Sequence, residues 1–311
     1  MPRFMMSFIY RLPVFFSALA LVSGLAFFSG NALAAATAAE PPFKVIWKSG
    51  GITVTAIQDL PGTMAATLFK GPASDAERGK YFTNGVSEAG YNVFLMQMDG
   101  QNILFDTGNG AIRETPGNLV PILAGLGVKA EDINLILLTH LHRDHIGGLM
   151  DGNSKAFPNA RLMISKPELE YWLGLAGKDP ANANGALVKA VVAAYGSSVL
   201  PPFALDTVVL PGVTALDAAG HTPGHTVFQV EAEGRKLLII GDLIHGTPLQ
   251  FALPDECATF DVDIPMAIES RKRILALAEK ENMHIAGMHL PFSGDGTVEK
   301  DGLGYTLKTG K

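Results

Sequence analysis

Thr139-His140-Leu141-His142-Arg143-Asp144-His145-Ile146-Gly147-Gly148 follows directly on the apolar run Asn134–Leu138 and packs three imidazoles and a carboxylate into its first turn. A short apolar run bounded by polar groups reads as a buried strand. His140 and His142 are two apart, so in extended backbone both point the same way from the strand end. Asp144 and His145 follow at a turn where a helix begins, and Gly147-Gly148 lets backbone pass close by. Neutral imidazole offers one nitrogen and carboxylate offers hard oxygens, a donor set that suits zinc and its first-row neighbours. A histidine-rich surface loop is the bland alternative. The density of the motif and its matching groups downstream weigh against it.

Three later features supply those groups. Gly220-His221-Thr222-Pro223-Gly224-His225-Thr226 lies between two strand-like runs, and its glycines and proline predict a tight turn. Gly241-Asp242 comes straight after the apolar run Leu237–Ile240, and Gly287-Met288-His289-Leu290-Pro291 closes another strand. Each puts a ligand type at the end of an apolar run, so a fold can gather them along one edge of its sheets. Of the eight histidines only His284 falls outside these motif regions, His245 following Asp242 by three residues, and His284 reads as an ordinary strand-start residue. Ser154 and Cys257 lack the oriented base that a nucleophile needs.

Arg3 and Arg11 lie ahead of the apolar run Val14–Phe28, and Ala32-Leu33-Ala34 follows as a small-residue cleavage pattern. The order predicts a cleavable secretory signal over residues 1–34, since the apolar core is short for a membrane span. Its removal leaves 277 of the 311 residues, expected as one domain over residues 35–311, in the periplasm or outside the cell. The net charge of −6 moves to about −8 once the two arginines are gone. An acidic chain without a basic patch is a poor partner for nucleic acid or anionic membrane surfaces. The single cysteine, Cys257, excludes an intramolecular disulfide and cysteine-rich zinc sites.

Strand patterns cover Phe43–Trp47, Ile52–Asp59, Tyr91–Met98 and Asn102–Phe105, and again Val208–Leu210, Val213–Ala218, Thr226–Glu231 and Lys236–Ile240. Pro61–Gly85 reads as a long loop, rich in Gly, Pro, Ser and charge. Helical spacing marks Asn118–Leu126, Pro167–Leu173, Ala181–Tyr195 and Ile264–Asn282, the last with Ile264, Ile268, Ile274, Leu275 and Leu277 facing the core. A terminal hairpin is expected over Gly294–Leu307. Two strand-rich blocks, each followed by helices, indicate an α/β chain. Periodicity alone does not choose among α/β arrangements.

His-x-His-x-Asp-His behind a hydrophobic strand resembles the signature of the metallo-β-lactamase superfamily. The resemblance implies an αββα sandwich, two mixed sheets flanked by helices. It also implies two divalent metal ions, zinc first among them. His140, His142 and His221 would hold one; Asp144, His145 and His289 would hold the second; Asp242 would bridge both. The nucleophile implied is a bridging hydroxide, with Asp144 taking and returning a proton. His225 matches a position that supports the turn, and Asp106 and Thr139 match structural positions or outer partners of metal-bound histidines.

A bridging aspartate points towards lactonases, glyoxalase II-like thioesterases and phosphotriesterases. Gly241–His245, Gln250-Phe251, Phe157–Ala160, Tyr171–Leu173 and His289–Phe292 resemble the exported methyl parathion hydrolase and acyl-homoserine lactonase-like group. One departure counts. Acyl-homoserine lactonases commonly carry a tyrosine three residues after the bridging aspartate, and here stands His245, read as an oxyanion donor or as a partner of its neighbours. Trp172 is read equally as a pocket wall or a core anchor. The expected activity is opening of a small ester or lactone of acyl-homoserine lactone type. Phosphotriester hydrolysis comes next and β-lactam hydrolysis third; a mononuclear iron persulfide dioxygenase is the alternative of another class. The expected partner is a small-molecule substrate, with a homodimer left open.

Overall fold

The structure, a computed structural model, describes residues 41–111 and 114–309; the expected signal over 1–34 lies outside the described residues. The run behind the histidine motif forms the strand Ile133–Leu137, and its side chains divide between two cores. Leu135 and Leu137 face one and Ile136 the other, as alternation requires of a strand covered on both sides. Ile103 and Phe105 against Leu104, and Leu237 and Ile239 against Leu238, split the same way.

The first sheet runs in spatial order Phe43–Ser49, Ile52–Ala65, Val86–Met98, Gln101–Phe105, Ile133–Leu137, Arg161–Met163. It is antiparallel up to Gln101–Phe105 and parallel beyond. The second runs Thr207–Leu210, Val213–Asp217, Thr226–Ala232, Arg235–Ile239, His284–Ala286, Asp295–Asp301, Gly304–Lys308. Its single parallel pair is Arg235–Ile239 with His284–Ala286. Between the sheets lie Phe94, Phe105 and Leu137 from the first and Phe228, Leu237 and Ile239 from the second. Each fully buried residue of this kind contributes about 1.5–3 kcal/mol. The outer face of the first sheet is covered by Leu119–Gly125, Lys166–Lys178 and Ala183–Tyr195, and that of the second by Ile264–Lys280. The layers are αββα.

The long loop expected over Pro61–Gly85 is corrected. The second strand continues to Ala65, pairing Pro61 with Gly90 and Gly62 with Ala89, past a bulge between Gln58 and Leu60. A short strand Phe69–Lys70 and a helical turn Asp75–Arg78 follow. Proline and glycine erased the strand signal, yet Gly62 is needed there: a Cβ would come within 2.7 Å of the Tyr91 ring. The helix Ile264–Lys280 is also corrected in its face. Ala267, Ser270, Arg271, Ile274, Leu275 and Ala278 are buried, while Ile264, Ile268 and Leu277 are only partly so.

Because Gln101–Phe105 is parallel to Ile133–Leu137, and Arg235–Ile239 to His284–Ala286, the carboxyl ends of each pair open on one edge. Asp106, His140–His145, Asp242 and His289 come directly after those ends. Ligand sites of open α/β sheets gather outside such strand ends.

Candidate metal centre

Histidine nitrogens and a carboxylate converge where the strands end. His142 Nδ1 lies 3.0 Å from His140 Nε2 and 2.9 Å from His221 Nε2. Asp242 Oδ2 is 3.5 Å from His140 Nε2, 3.2 Å from His221 Nε2 and 3.3 Å from His289 Nε2, while Oδ1 is 3.0 Å from His145 Nε2. Asp144 Oδ2 lies 3.7 Å from His289 Nε2. All seven ligand positions expected from the sequence thus meet, in groups whose donor atoms lie within 4.8 Å of one another: His140, His142, His221 and Asp242 in one, and Asp144, His145 and His289 in another.

The protons of these rings are pinned outward. Asp106 accepts from the Thr139 amide and hydroxyl at 2.8 and 2.7 Å and from His145 Nδ1 at 2.7 Å. With its own proton given to Asp106, the Thr139 hydroxyl accepts from His140 Nδ1 at 3.1 Å. His221 Nδ1 donates to Asp261 Oδ1 at 2.8 Å, and His289 Nδ1 to the Gly90 carbonyl at 3.0 Å. Each ring therefore turns an Nε2 lone pair inward. His145 Nε2 and Asp242 Oδ1, both buried, make no hydrogen bond among the described residues. Inward lone pairs about 3 Å apart, with carboxylate oxygens beside them, repel one another unless a cation sits between. The donor set fits divalent metal, with the outer partners that metal-bound histidines require.

The titration behaviour agrees. Burial, with the neighbouring histidines, holds His140 well below the ordinary range and takes His142 down to about 3. Burial acts the same way on His221, but the bonds to Asp242 and Asp261 overcome it and lift the ring to about 9. In His145 burial is likewise overcome, by Asp242 and Asp106, and the pKa goes well up. Desolvation would raise Asp144 and Asp242; His145 and His289 outweigh it, so both stay ionised. Without metal, the centre draws protons onto selected rings.

Around this centre opens a cavity of about 670 Å³ whose walls include Met64, Leu68, Tyr91, Glu114, Asn184 and Phe260. Tyr91 meets the His289 ring edge-on at 5.2 Å, and Phe260 the His245 ring at 4.9 Å. His245 Nε2 is 2.9 Å from Asp242 Oδ2. His225 accepts the Asp242 amide at Nε2, 2.9 Å, and donates from Nδ1 to the Ala218 carbonyl, 3.1 Å, behind the ligand layer. His284 pairs with Asp295 on the second sheet, in none of the ligand groups. Trp172 resolves to the anchor: it is buried, its ring edge lies against His142 at 5.4 Å, and it is not among the cavity walls. Asp261, Glu168, Tyr91 and Phe260 went unread in the sequence. The acids reach the histidine loops from far along the chain, Asp261 to His221 across 40 residues and Glu168 to Leu141 across 27, so no local spacing ties them to the site.

Residues 87–280 match the model of the metallo-beta-lactamase superfamily. An N-acyl homoserine lactonase of Bacillus cereus is 28% identical over 163 residues, 52% of this chain and 58% of that protein, so the chain spans little more than half the length of this curated relative. Among solved structures, the hydrolase AbOPH of the beta lactamase superfamily superposes with a TM-score of 0.77 at 29% identity, covering 84% of this chain and 95% of that one. AidC, a dizinc quorum-quenching lactonase solved with a product, superposes with a TM-score of 0.75 at 28% identity, covering 86% and 97%. The match over more than half the chain, on an αββα fold with the ligand set at its sheet edge, places this chain in the metallo-beta-lactamase superfamily.

Proposed function

We propose that this chain is an exported, dinuclear metal-dependent hydrolase that opens a small ester or lactone of acyl-homoserine lactone type. The observation that carries the reading is the seven-residue ligand set around Asp242, with a carboxylate in reach of both histidine groups. The likeness to an N-acyl homoserine lactonase and to a dizinc lactonase supports the substrate class. Export rests on the sequence of residues 1–34.

His140, His142 and His221 would hold one ion, Asp144, His145 and His289 the other, with Asp242 between. Two divalent ions, zinc first, would supply Lewis acidity and an acidified water at neutral pH. Asp144, ionised and at the cavity wall, is the proton acceptor and donor: it takes the proton released as the water attacks the carbonyl and returns it to the leaving alkoxide. His245 acts on Asp242. A carboxylate only accepts, so Nε2 carries the proton of that 2.9 Å bond, and the neutral ring keeps a lone pair on Nδ1, which is buried and unpartnered among the described residues. Its place in catalysis is therefore to hold Asp242 rather than to donate to an oxyanion.

Phosphotriester hydrolysis is the second reading, favoured by Tyr91 and Phe260, two aromatic rings that could flank an aryl leaving group. Comparing kcat/KM of the zinc-loaded protein on an acyl-homoserine lactone and an aryl phosphotriester decides. A lactone value of about 10⁴ M⁻¹s⁻¹ or more with a far weaker phosphotriester value is expected. The reverse order would replace the first reading by the second.

A further inference from the structure

Glu168 is a carboxylate within the first turn of the helix Lys166–Lys178, 1% exposed, and among the described residues its hydrogen bonds go to none of the expected metal ligands. Its two oxygens receive four hydrogen bonds from three segments. Oε1 accepts from the Leu141 amide at 2.9 Å and from Trp172 Nε1 at 2.7 Å. Oε2 accepts from the Thr222 hydroxyl at 2.6 Å and from the Gly224 amide at 3.0 Å. Leu141 stands between His140 and His142, and Thr222 and Gly224 follow His221. One carboxylate ties the two loops that deliver the first group of histidines.

The contact is close-fitting. A Cβ on Gly224 would fall 2.2 Å from the Glu168 nitrogen, so only glycine lets the turn dock on the helix start. Ser165 closes the same joint by donating to the Gly224 carbonyl at 2.7 Å. Trp172 extends the joint to His142. That ring is the ligand whose outer nitrogen has no hydrogen-bond partner among the described residues, so its orientation rests on packing against the indole edge that Glu168 holds. All four groups facing Glu168 are donors, which suits an ionised carboxylate with four lone-pair directions and suits neither glutamine nor an alkyl chain. A buried charge is tolerated where such bonds replace its water.

We propose that Glu168 is a positioning residue for the metal centre, setting the distance between the His140–His142 loop and the His221 turn and so the affinity of the first metal site. The inference rests on the two-metal reading above. Its test is zinc retention by the full chain during dialysis against graded chelator, with circular dichroism read on the same samples. Glu168→Gln, Trp172→Phe and Thr222→Val are each expected to stay folded and to release one zinc at chelator concentrations at least 10-fold lower than wild type, with the other zinc unmoved. Thr222→Ser, which restores the hydroxyl, is expected to restore retention. Wild-type retention of both zincs in folded Glu168→Gln, or equal loss of both from it, would overturn the assignment. If Glu168→Gln does not fold, the two single-donor variants decide by the same shift. A wild-type chain holding one zinc would refute the two-metal reading instead, and Glu168 is then judged on that one site.

Discussion

Asp242 is the residue on which the centre turns. Its Oδ2 faces His140, His221, His245 and His289, and its Oδ1 faces His145, all within 3.5 Å. Asp242→Asn turns one of those oxygens into a donor against inward lone pairs. The variant is expected to lose one metal per chain and at least about 10²-fold in turnover, checked by metal analysis and steady-state kinetics. Near-normal activity with both metals bound would remove the bridging role. Behind it, His225 bonds the Asp242 amide through an unprotonated Nε2, which only the neutral ring allows. Burial, with His221 nearby, takes its pKa down to about 3, so its NMR ring signals are expected not to titrate between pH 8 and 5. The residues that converge on the centre were legible because His-x-His-x-Asp-His compresses four of them into one turn and glycine-flanked strand ends mark the rest. Asp261 and Glu168 were not, since an isolated acid bonded across the fold has the same local sequence as a solvated one.

At the scale of elements, the strands that point at the site were the easiest to read. Ile133–Leu137 and Arg235–Ile239 are apolar runs stopped by polar ligands, and that pattern survives in one dimension. What failed was an element held by its neighbours. The extension of Ile52–Ala65 beyond Asp59 exists because Val86–Met98 pairs with it, despite Pro61 and Gly62. The buried charge of the helix Ile264–Lys280 is of the same kind. Arg271 donates to the carbonyls of Leu243, Pro254 and Glu256 at 2.9, 2.9 and 3.0 Å, and stands 3.7 Å from Asp261 Oδ2. It thereby fastens the segment after Asp242 to the helix. Arg271→Leu leaves those carbonyls unsatisfied in the core and is expected to cost about 2–4 kcal/mol in urea unfolding. Cys257→Ser, 3.7 Å from the same guanidinium, is expected to be nearly silent. A loss for serine as large as for leucine would show that the thiol, and not the arginine, holds the segment.

For the molecule as a whole, removing metal should change not only stability but the sign of its pH dependence. In the metal-free protein His221 is lifted to about 9, and an unfolded histidine titrates near 6.5. A group whose pKa is raised on folding stabilises fully below the unfolded value and loses that contribution as pH rises through the folded one. Stability of the metal-free chain is therefore expected to fall between pH 6.5 and 9, with His145 and His289, also raised, adding to the fall. Below 6.5 the opposite group takes over. His142 and His225, held at about 3, and His245, held at about 4 mainly by burial, accept protons only on unfolding. Acid then removes stability, on the order of 1 kcal/mol per pH unit for each ring. Metal held as proposed would occupy the lone pair of His221, so that ring would have no proton to lose and the alkaline branch should vanish. Urea midpoints at pH 7 and 9, with chelator and with zinc, test this directly. The metal-free protein should weaken at pH 9 while the zinc form does not. Equal alkaline slopes in both forms would mean that His221 carries no extra proton in the empty centre, and that its bond to Asp261 orients a ring already neutral.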